Sequence, residues 1–309
     1  MDIRPPHDPT VGKNAVILVP SHRRNSAAAV KKNYQIQSNQ SMMNQPINFI
    51  IWNVRGANNA NFHRNFREIM DTHRPSMVDL LETRMTNHIS ILEDFNFTEI
   101  IEVPAEGQSG GLVILWNHAR VIVNNFTRRN QEIYAMIKIK PNHKKWLFSS
   151  IYASTDKNNR DTLWQNIKNI YNTYKGAWLM GGDFNDVIMA QEKLGGKSVN
   201  QKQANNILEN LNYCKLLDLD FKGCKFTWSN HRRKGKGLIM ERLDRVYANI
   251  DWLDQYLEAS IIHLPKTYSD HNPILISLKD KNLAYIEKPF HLESMWCSHP
   301  DFINIVNRN

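Results

Sequence analysis

From Ile47 to Leu278 the chain keeps switching between two hydrophobic periods, and this limits its possible folds more than any other feature. INFIIW (47–52), MVDLL (77–81), LVILW (112–116), AWLMGG (177–182), ASIIHL (259–264) and PILISL (273–278) are short apolar runs of the kind that form buried strands. Amphipathic stretches alternate with them. Phe62, Phe66, Ile69 and Met70 recur at helical spacing within 61–73, as do Leu163, Ile167, Ile170, Tyr171 and Tyr174 within 158–174, and a further helix is expected over 200–213. LVILW, VIVNNF (121–126), IYAMIKI (133–139) and WLFSSIY (146–152) follow one another without a helix, which predicts antiparallel meanders. KFTW (225–228) and LIMERLDRVY (238–247) add two strands joined by a Gly- and Lys-rich turn. About ten or more strands exceed what one twisted open sheet carries. The pattern therefore predicts an α/β chain whose mixed sheets split into two stacked layers with helices outside.

The flanks read differently. Residues 1–46 are rich in Asn, Gln, Ser and Pro with no sustained apolar period, as expected of a disordered tail. That tail is basic, carrying Arg4, Lys13, Arg23, Arg24, Lys31 and Lys32 against Asp2 and Asp8. Its Arg23-Arg24 and Lys31-Lys32 pairs fit either a weak nuclear-import or nucleic-acid patch or a solvated tail with scattered charge. Over all 309 residues, 39 Lys and Arg face 30 Asp and Glu, and the net charge of +9 favours a polyanionic partner. Cys214, Cys224 and Cys297 are too few and too far apart for a disulfide framework or a structural zinc site, so a reducing compartment is expected. The apolar run AVILVP (15–20) is too short for a membrane span or a signal-peptide core, so a soluble, unsecreted protein without a membrane partner is expected.

The candidate chemistry lies where apolar strands end in polar residues: Asn53, Glu82, Tyr152, Asp183 with Asn185, Asp244, and Asp270 with His271. One acid at a strand end is ordinarily a turn or cap residue, but repeated endings of this kind on one sheet can converge. In GGDFND (181–186) the two glycines allow a sharp turn after the strand, and an extended DxN would project both side chains the same way. Asp183 could then orient and deprotonate water while the Asn185 amide donates to an oxygen gaining charge; an Asx-type turn is the alternative. In SDHNPI (269–274) adjacent side chains on extended backbone point apart, giving Asp270 and His271 different partners. Asp270 suits a hard divalent cation. His271 could bind a phosphate or donate a proton if a carboxylate, with Asp244 the candidate, holds its ring.

Other chemistries lack their spacing. His63 and His73 are ten apart on one predicted helix and His88 and His118 stand alone, so no histidine-built zinc site is expected. No GxSxG elbow exists, and GGK (195–197) lacks the rest of a P-loop. HRRKGKG (231–237), beside Trp228, is either a phosphate-backbone grip or a solvated hairpin tip.

The ordered series WN (52–53), LLET (80–83), SGGLVILW (109–116), IYAS (151–154), GGDFND, ERLDRVYAN (241–249) and SDHNPI resembles the endonuclease/exonuclease/phosphatase family, a four-layered α/β sandwich. More narrowly, WNVRG, LLETR, EKLGG (192–196), FTWSN (226–230), ERLDRVYAN and the trailing KPFHLESMWCSHPDF (288–302) resemble the endonuclease domain of plant LINE-type (non-LTR) retrotransposons. The resemblance implies an endonuclease domain over 47–280 and, over 281–309, the start of a linker toward a reverse transcriptase that this chain does not contain. It implies Mg²⁺, with Mn²⁺ as a substitute, at Glu82, Asn53 and Asp270, and no small-molecule cofactor. Tyr152 would touch the scissile phosphate, Asp183 would activate water, Asn185 would help hold phosphate or metal, and His271, oriented by Asp244, would stabilise the transition state. The implied reaction is nicking of DNA to a 5′-phosphate and a 3′-hydroxyl in the nucleus, with the element's own RNA a further partner. The alternatives are another phosphoesterase of this fold, acting on apurinic sites or phosphorylated small molecules, and a catalytically silent remnant that binds nucleic acid.

Overall fold

Strand β1 (Ile47–Asn53) explains why the apolar runs are unbroken: Phe49 and Ile51 face one buried layer while Ile50 and Trp52 face another. In this computed structural model the chain is described at residues 47–107, 109–140, 144–232 and 237–278. The expectations for 1–46, 281–309, Cys297 and the tip of the HRRKGKG loop lie outside the described residues.

One sheet has seven strands in the order β11 (Phe221–Gly223), β15 (Ser260–His263), β16 (Ile274–Leu278), β1, β2 (Met77–Leu81), β4 (Ser109–Trp116), β3 (Glu99–Glu106). The other has six: β10 (Leu217–Asp218), β14 (Asp244–Ala248), β8 (Trp178–Asp183), β7 (Trp146–Tyr152), β6 (Glu132–Ile139), β5 (Val121–Arg129). A small third sheet joins β12 (Trp228–Ser229), β13 (Met240–Glu241) and β9 (Lys193–Leu194). The two large sheets stack through a common core that includes Phe49, Ile114, Trp146, Phe148 and Leu179. Helices α1 (Ala60–His73) and α2 (Ile89–Asp94) cover the outer face of the first sheet, burying Phe62, Phe66, Ile91 and Leu92. Helices α3 (Lys157–Thr173) and α4 (Gln201–Tyr213) cover the second through Leu163, Trp164, Ile207 and Leu211, completing a four-layered α/β sandwich. Capping fixes the entry of α1, where the Asn59 side chain accepts the Phe62 N–H at 2.9 Å.

Several sequence expectations needed correction. Of the run of strands from 112 to 152, β5, β6 and β7 form an antiparallel meander, while β4 belongs to the other sheet because the chain changes sheets between Trp116 and Val121. Strand β3 was not foreseen, since Glu99, Glu102, Pro104 and Glu106 disguise a sheet-edge strand. The KFTW run reduces to β12, and 238–247 breaks into β13 and β14 at Arg242 and Leu243. Two glycines thought to allow a turn instead lie within β8. A Cβ on Gly181 would meet Ile51 Cδ1 of the facing sheet at 2.5 Å, and Gly182 has φ +145 with the Ile151 carbonyl 1.9 Å from its Cβ position.

One polar contact crosses the core between the sheets. Asp79 of β2 is fully buried and accepts the Ser150 hydroxyl of β7 at 2.8 Å, while its other oxygen has no partner. Burial pushes this carboxyl up to about 8, outweighing the Ser150 hydrogen bond, so it is largely neutral at pH 7.

Candidate active site

Topology explains why residues so far apart in sequence meet. Parallel pairing of β1 with β2 and of β7 with β8 brings their C-terminal ends, Asn53, Leu81, Tyr152 and Asp183, to one rim of the sandwich. Strand β14 runs antiparallel to β8 and β16 antiparallel to β1, so each contributes its beginning to the same rim. Asp244 therefore opens a strand instead of closing one, correcting the sequence expectation, and its register partner is Asp183. The cause is local: Thr227 Oγ1 accepts the backbone N–H of Leu243 and of Asp244, both at 3.0 Å, which interrupts the strand ladder.

At the centre, two fully buried carboxylates would repel across adjacent strands without a cation between them. His271 is that cation. Its Nδ1 lies 2.8 Å from Asp244 Oδ2, and its Nε2 lies 3.9 Å from Asp183 Oδ2, too long for a direct hydrogen bond. Burial alone would lower the imidazole, but Asp244, Asp183 and Asp270 raise it to about 9, so it is charged at pH 7. Asp183 moves up to about 6, chiefly through burial, with His271 opposing the shift. Asn53 Nδ2 donates to Asp183 at 2.8 Å and to Glu82 at 3.3 Å, linking this centre to an outer group.

The outer group has Glu82 and Asp270, both buried but less completely than Asp183 and Asp244. Arg55 reaches both, contacting Asp270 closely and lying 3.7 Å from Glu82, and Arg84 donates to Glu82 at 2.5 Å. Trp228 Nε1 also donates to Asp270, at 2.9 Å. Burial would raise the Asp270 carboxyl, yet His271, Trp228 and Arg55 together hold it below the ordinary range. Tyr152 sits over Glu82 and Asp183. Burial and then those two carboxylates push its hydroxyl well above the ordinary value, so it remains a donor. Asp270 and His271 do have different partners, although the chain bends at 268–270 where an extended segment was expected.

Asn185 does not follow the expected geometry. Its φ of +50 makes the DxN segment turn, its N–H donates to Asp183 Oδ1 at 2.9 Å, and its amide donates to the Ala153 carbonyl at 2.7 Å. The Asx-type alternative is the one that forms. Arg55, Glu82, Arg84 and Asn185 are four of the eight non-glycine residues with positive φ among the described residues. Such conformations cost roughly 1–2 kcal/mol each, and clustering at one rim is typical of functional sites. Sequence reasoning missed Arg55, Arg84 and Ser269. Ser269 ties the final turn to β1 by donating to the Asn53 carbonyl at 2.7 Å. The arginines stood in WNVRG and LLETR, each within two residues of a strand-ending polar group, a signal of charge compensation that could have been used.

Two groups of residues have the donors for a metal. Ligand atoms of Asp183, Asp244 and His271 lie within 4.8 Å of one another. The protonated imidazole, hydrogen-bonded to Asp244, has no lone pair free, and its charge offsets one of the two carboxylates. Glu82, Asp270 and Asn53 offer oxygen donors only, and a guanidinium already fits between the two carboxylates. Those oxygens suit a hard divalent cation better.

A four-layered sandwich with acidic and basic groups gathered at one rim defines the fold class of this chain. The chain belongs to the Endonuclease/Exonuclease/phosphatase family, whose pattern matches residues 50–271. This family comprises nucleases and phosphatases. No curated protein matches the sequence. Among solved structures, the endonuclease domain of TRAS1, a telomere-specific non-LTR retrotransposon, is similar at TM-score 0.59 and 14% identity, covering 76% of this chain and 99% of that one. The 3′ phosphatase NExo from Neisseria, bound to product DNA hairpin, gives TM-score 0.58 at 13% identity, covering 75% and 99%. The AP endonuclease LMAP from Leishmania major gives TM-score 0.58 at 12% identity, covering 85% and 93%. At such identities the likeness establishes the fold.

Proposed function

We propose that the protein is a Mg²⁺-dependent endonuclease that nicks DNA in the nucleus for a plant LINE-type retroelement, with the element's RNA as a further partner. The observation that carries this reading is the continuous set of contacts at the rim, from Glu82 through Asn53 to Asp183 and on to His271 and Asp244. Asp183, with its carboxyl near neutrality, accepts a proton from the attacking water. Asn185 holds that carboxylate through its backbone N–H. The charged His271, fixed by Asp244, donates toward a phosphoryl oxygen as charge grows on it. Tyr152, which keeps its proton, donates to a second oxygen. Glu82, Asp270 and Asn53 would hold Mg²⁺, or Mn²⁺ in its place, which when bound offsets charge on the transferring phosphoryl group. Water attacks phosphorus in line as its proton passes to Asp183, the bond to the 3′-oxygen breaks, and that oxygen takes a proton from solvent water while Asp183 returns its own to solvent, giving a 5′-phosphate and a 3′-hydroxyl.

The test is relaxation of supercoiled plasmid by the full chain with Mg²⁺, with EDTA, and with Glu82→Ala. Relaxation that requires both the metal and Glu82 is expected. Intact plasmid from folded protein would overturn the endonuclease reading, and phosphate release from phosphorylated small molecules would then point to the phosphatase alternative.

A further inference from the structure

His88, which no nearby histidine joins in the sequence, is completely buried between two partners. Its Nε2 lies 2.6 Å from Thr83 Oγ1 and its Nδ1 lies 2.7 Å from Glu102 Oε2. Its backbone N–H also donates to Glu102 Oε2, at 3.0 Å. The Glu102 carboxylate accepts only, so Nδ1 donates to it, and the second ring nitrogen is tied to the threonine hydroxyl. Thr83 Oγ1 is in turn within 3.4 Å of the Met85 N–H. The arrangement is that of a hydrolytic triad, yet Thr83 is fully buried and no substrate could reach it.

Its position suggests another use. Thr83 lies between Glu82 and Arg84, whose φ values are +52 and +55. This double left-handed turn swings the Glu82 carboxylate back onto Asn53, and it must be held by its surroundings to persist. Backbone bonds hold it on both sides: Gly56 N–H to Glu82 O at 2.8 Å, Ala57 N–H to Thr83 O at 2.9 Å, and the Thr83 and Arg84 N–H groups to Gly111 O and Gly110 O at 3.0 Å. Thr83 is the side chain of the turn that points inward. Gly111 makes room for it, since a Cβ there would stand 2.4 Å from Thr83 Oγ1. LLETR and SGG thus meet at one hydroxyl.

We infer that Thr83, His88 and Glu102 form a positioning relay that locks the Glu82 turn and thereby sets metal affinity at the rim, resting on the assignment of Glu82 as a metal ligand above. The relay touches no substrate; it acts through the backbone of Glu82, as partners behind metal ligands do. Thr83→Val keeps the shape and removes the hydroxyl, whereas Thr83→Ser keeps the hydroxyl.

The experiment titrates Mn²⁺ into the full chain without DNA, followed by electron paramagnetic resonance, with a melting curve for each variant. Thr83→Val is expected to weaken Mn²⁺ binding on the order of tenfold, with Thr83→Ser within about twofold of wild type. Equal affinity in wild type and Thr83→Val overturns the relay. Equal weakening in Thr83→Val and Thr83→Ser also overturns it, since packing would then be the cause. If Thr83→Val does not fold, His88→Gln carries the same expectation, and normal binding by it overturns the proposal. Glu82→Gln separates the two levels: wild-type affinity in that variant overturns the metal assignment itself, and the relay's purpose with it.

Discussion

Two groups of charges lie side by side at the rim and are neutralised in opposite ways. Asp183 and Asp244 are fully buried and flank the charged imidazole of His271, which is hydrogen-bonded to Asp244 alone, whereas Glu82 and Asp270, each about 8% exposed, face the half-exposed guanidinium groups of Arg55 and Arg84. A proton held between buried partners is fixed in place and strongly felt. Arginines on a solvent-facing loop are screened and can move aside. The first group is thus suited to moving protons and the second to exchanging cations, which is the division of labour a metal-assisted hydrolysis requires.

Neutralising the inner group should produce the largest effect. Asp183→Asn keeps the shape but removes the base, and plasmid nicking should fall by about 10²–10⁴-fold with the melting temperature not reduced. Retention of more than roughly a tenth of the rate would remove Asp183 from its role. Glu82→Gln should act differently, raising the Mg²⁺ needed for half-maximal nicking on the order of tenfold or more. An unchanged requirement would mean the outer group is not the cation site.

Stability against pH offers a third separation. Asp79 rises from 3.8 to about 8 on folding and His271 from 6.5 to about 9. Both bind their protons more tightly in the folded chain, so their stabilisation is complete below their unfolded values and is lost as pH rises through the folded ones. These two groups should therefore lower the melting temperature from about pH 4, where the Asp79 contribution begins to be lost, to about pH 9, where the His271 contribution ends. Asp79→Asn should flatten the part of the curve below about pH 8 and leave the His271 part in place. A flat profile in the unsubstituted protein would contradict both assignments. The smallest effect is expected from Arg84→Gln, where an ion pair open to solvent should change stability by no more than about 1 kcal/mol by denaturant titration.

Much of the fold could be read from the sequence because its period was unambiguous wherever a strand was covered on both faces or a helix on one. Helices α1, α3 and α4 lie within one residue of the ranges that the apolar spacing predicts. Legibility failed where neighbours decide the outcome. The edge strand β3 is covered on both faces only at its start, and from Glu102 onward polar residues and Pro104 interrupt the pattern. Thr227 divides a run that reads as a single strand. At the site, strand endings identified which residues could converge, but not how charge would be shared among them. The left-handed turn at Glu82 has no local cause in its residue type, because bonds to Gly56 and Gly111 impose it, whereas those at Arg55 and Asn185 follow Asx-type turns on Asn53 and Asp183.

The hydrogen bond between Asp79 and Ser150 acquires a wider meaning once the rim is seen to be assembled from both sheets. Asn53 and Glu82 ride on one layer, Tyr152 and Asp183 on the other, and sliding of the layers by a fraction of an ångström would pull these residues out of alignment. Apolar burial holds the layers together without direction, whereas a hydrogen bond fixes one point of each layer against the other. A directional bond through the middle of that interface works as a dowel. Its position, three residues behind Glu82 on β2 and two behind Tyr152 on β7, places the fastening just beneath the two parts that must stay aligned.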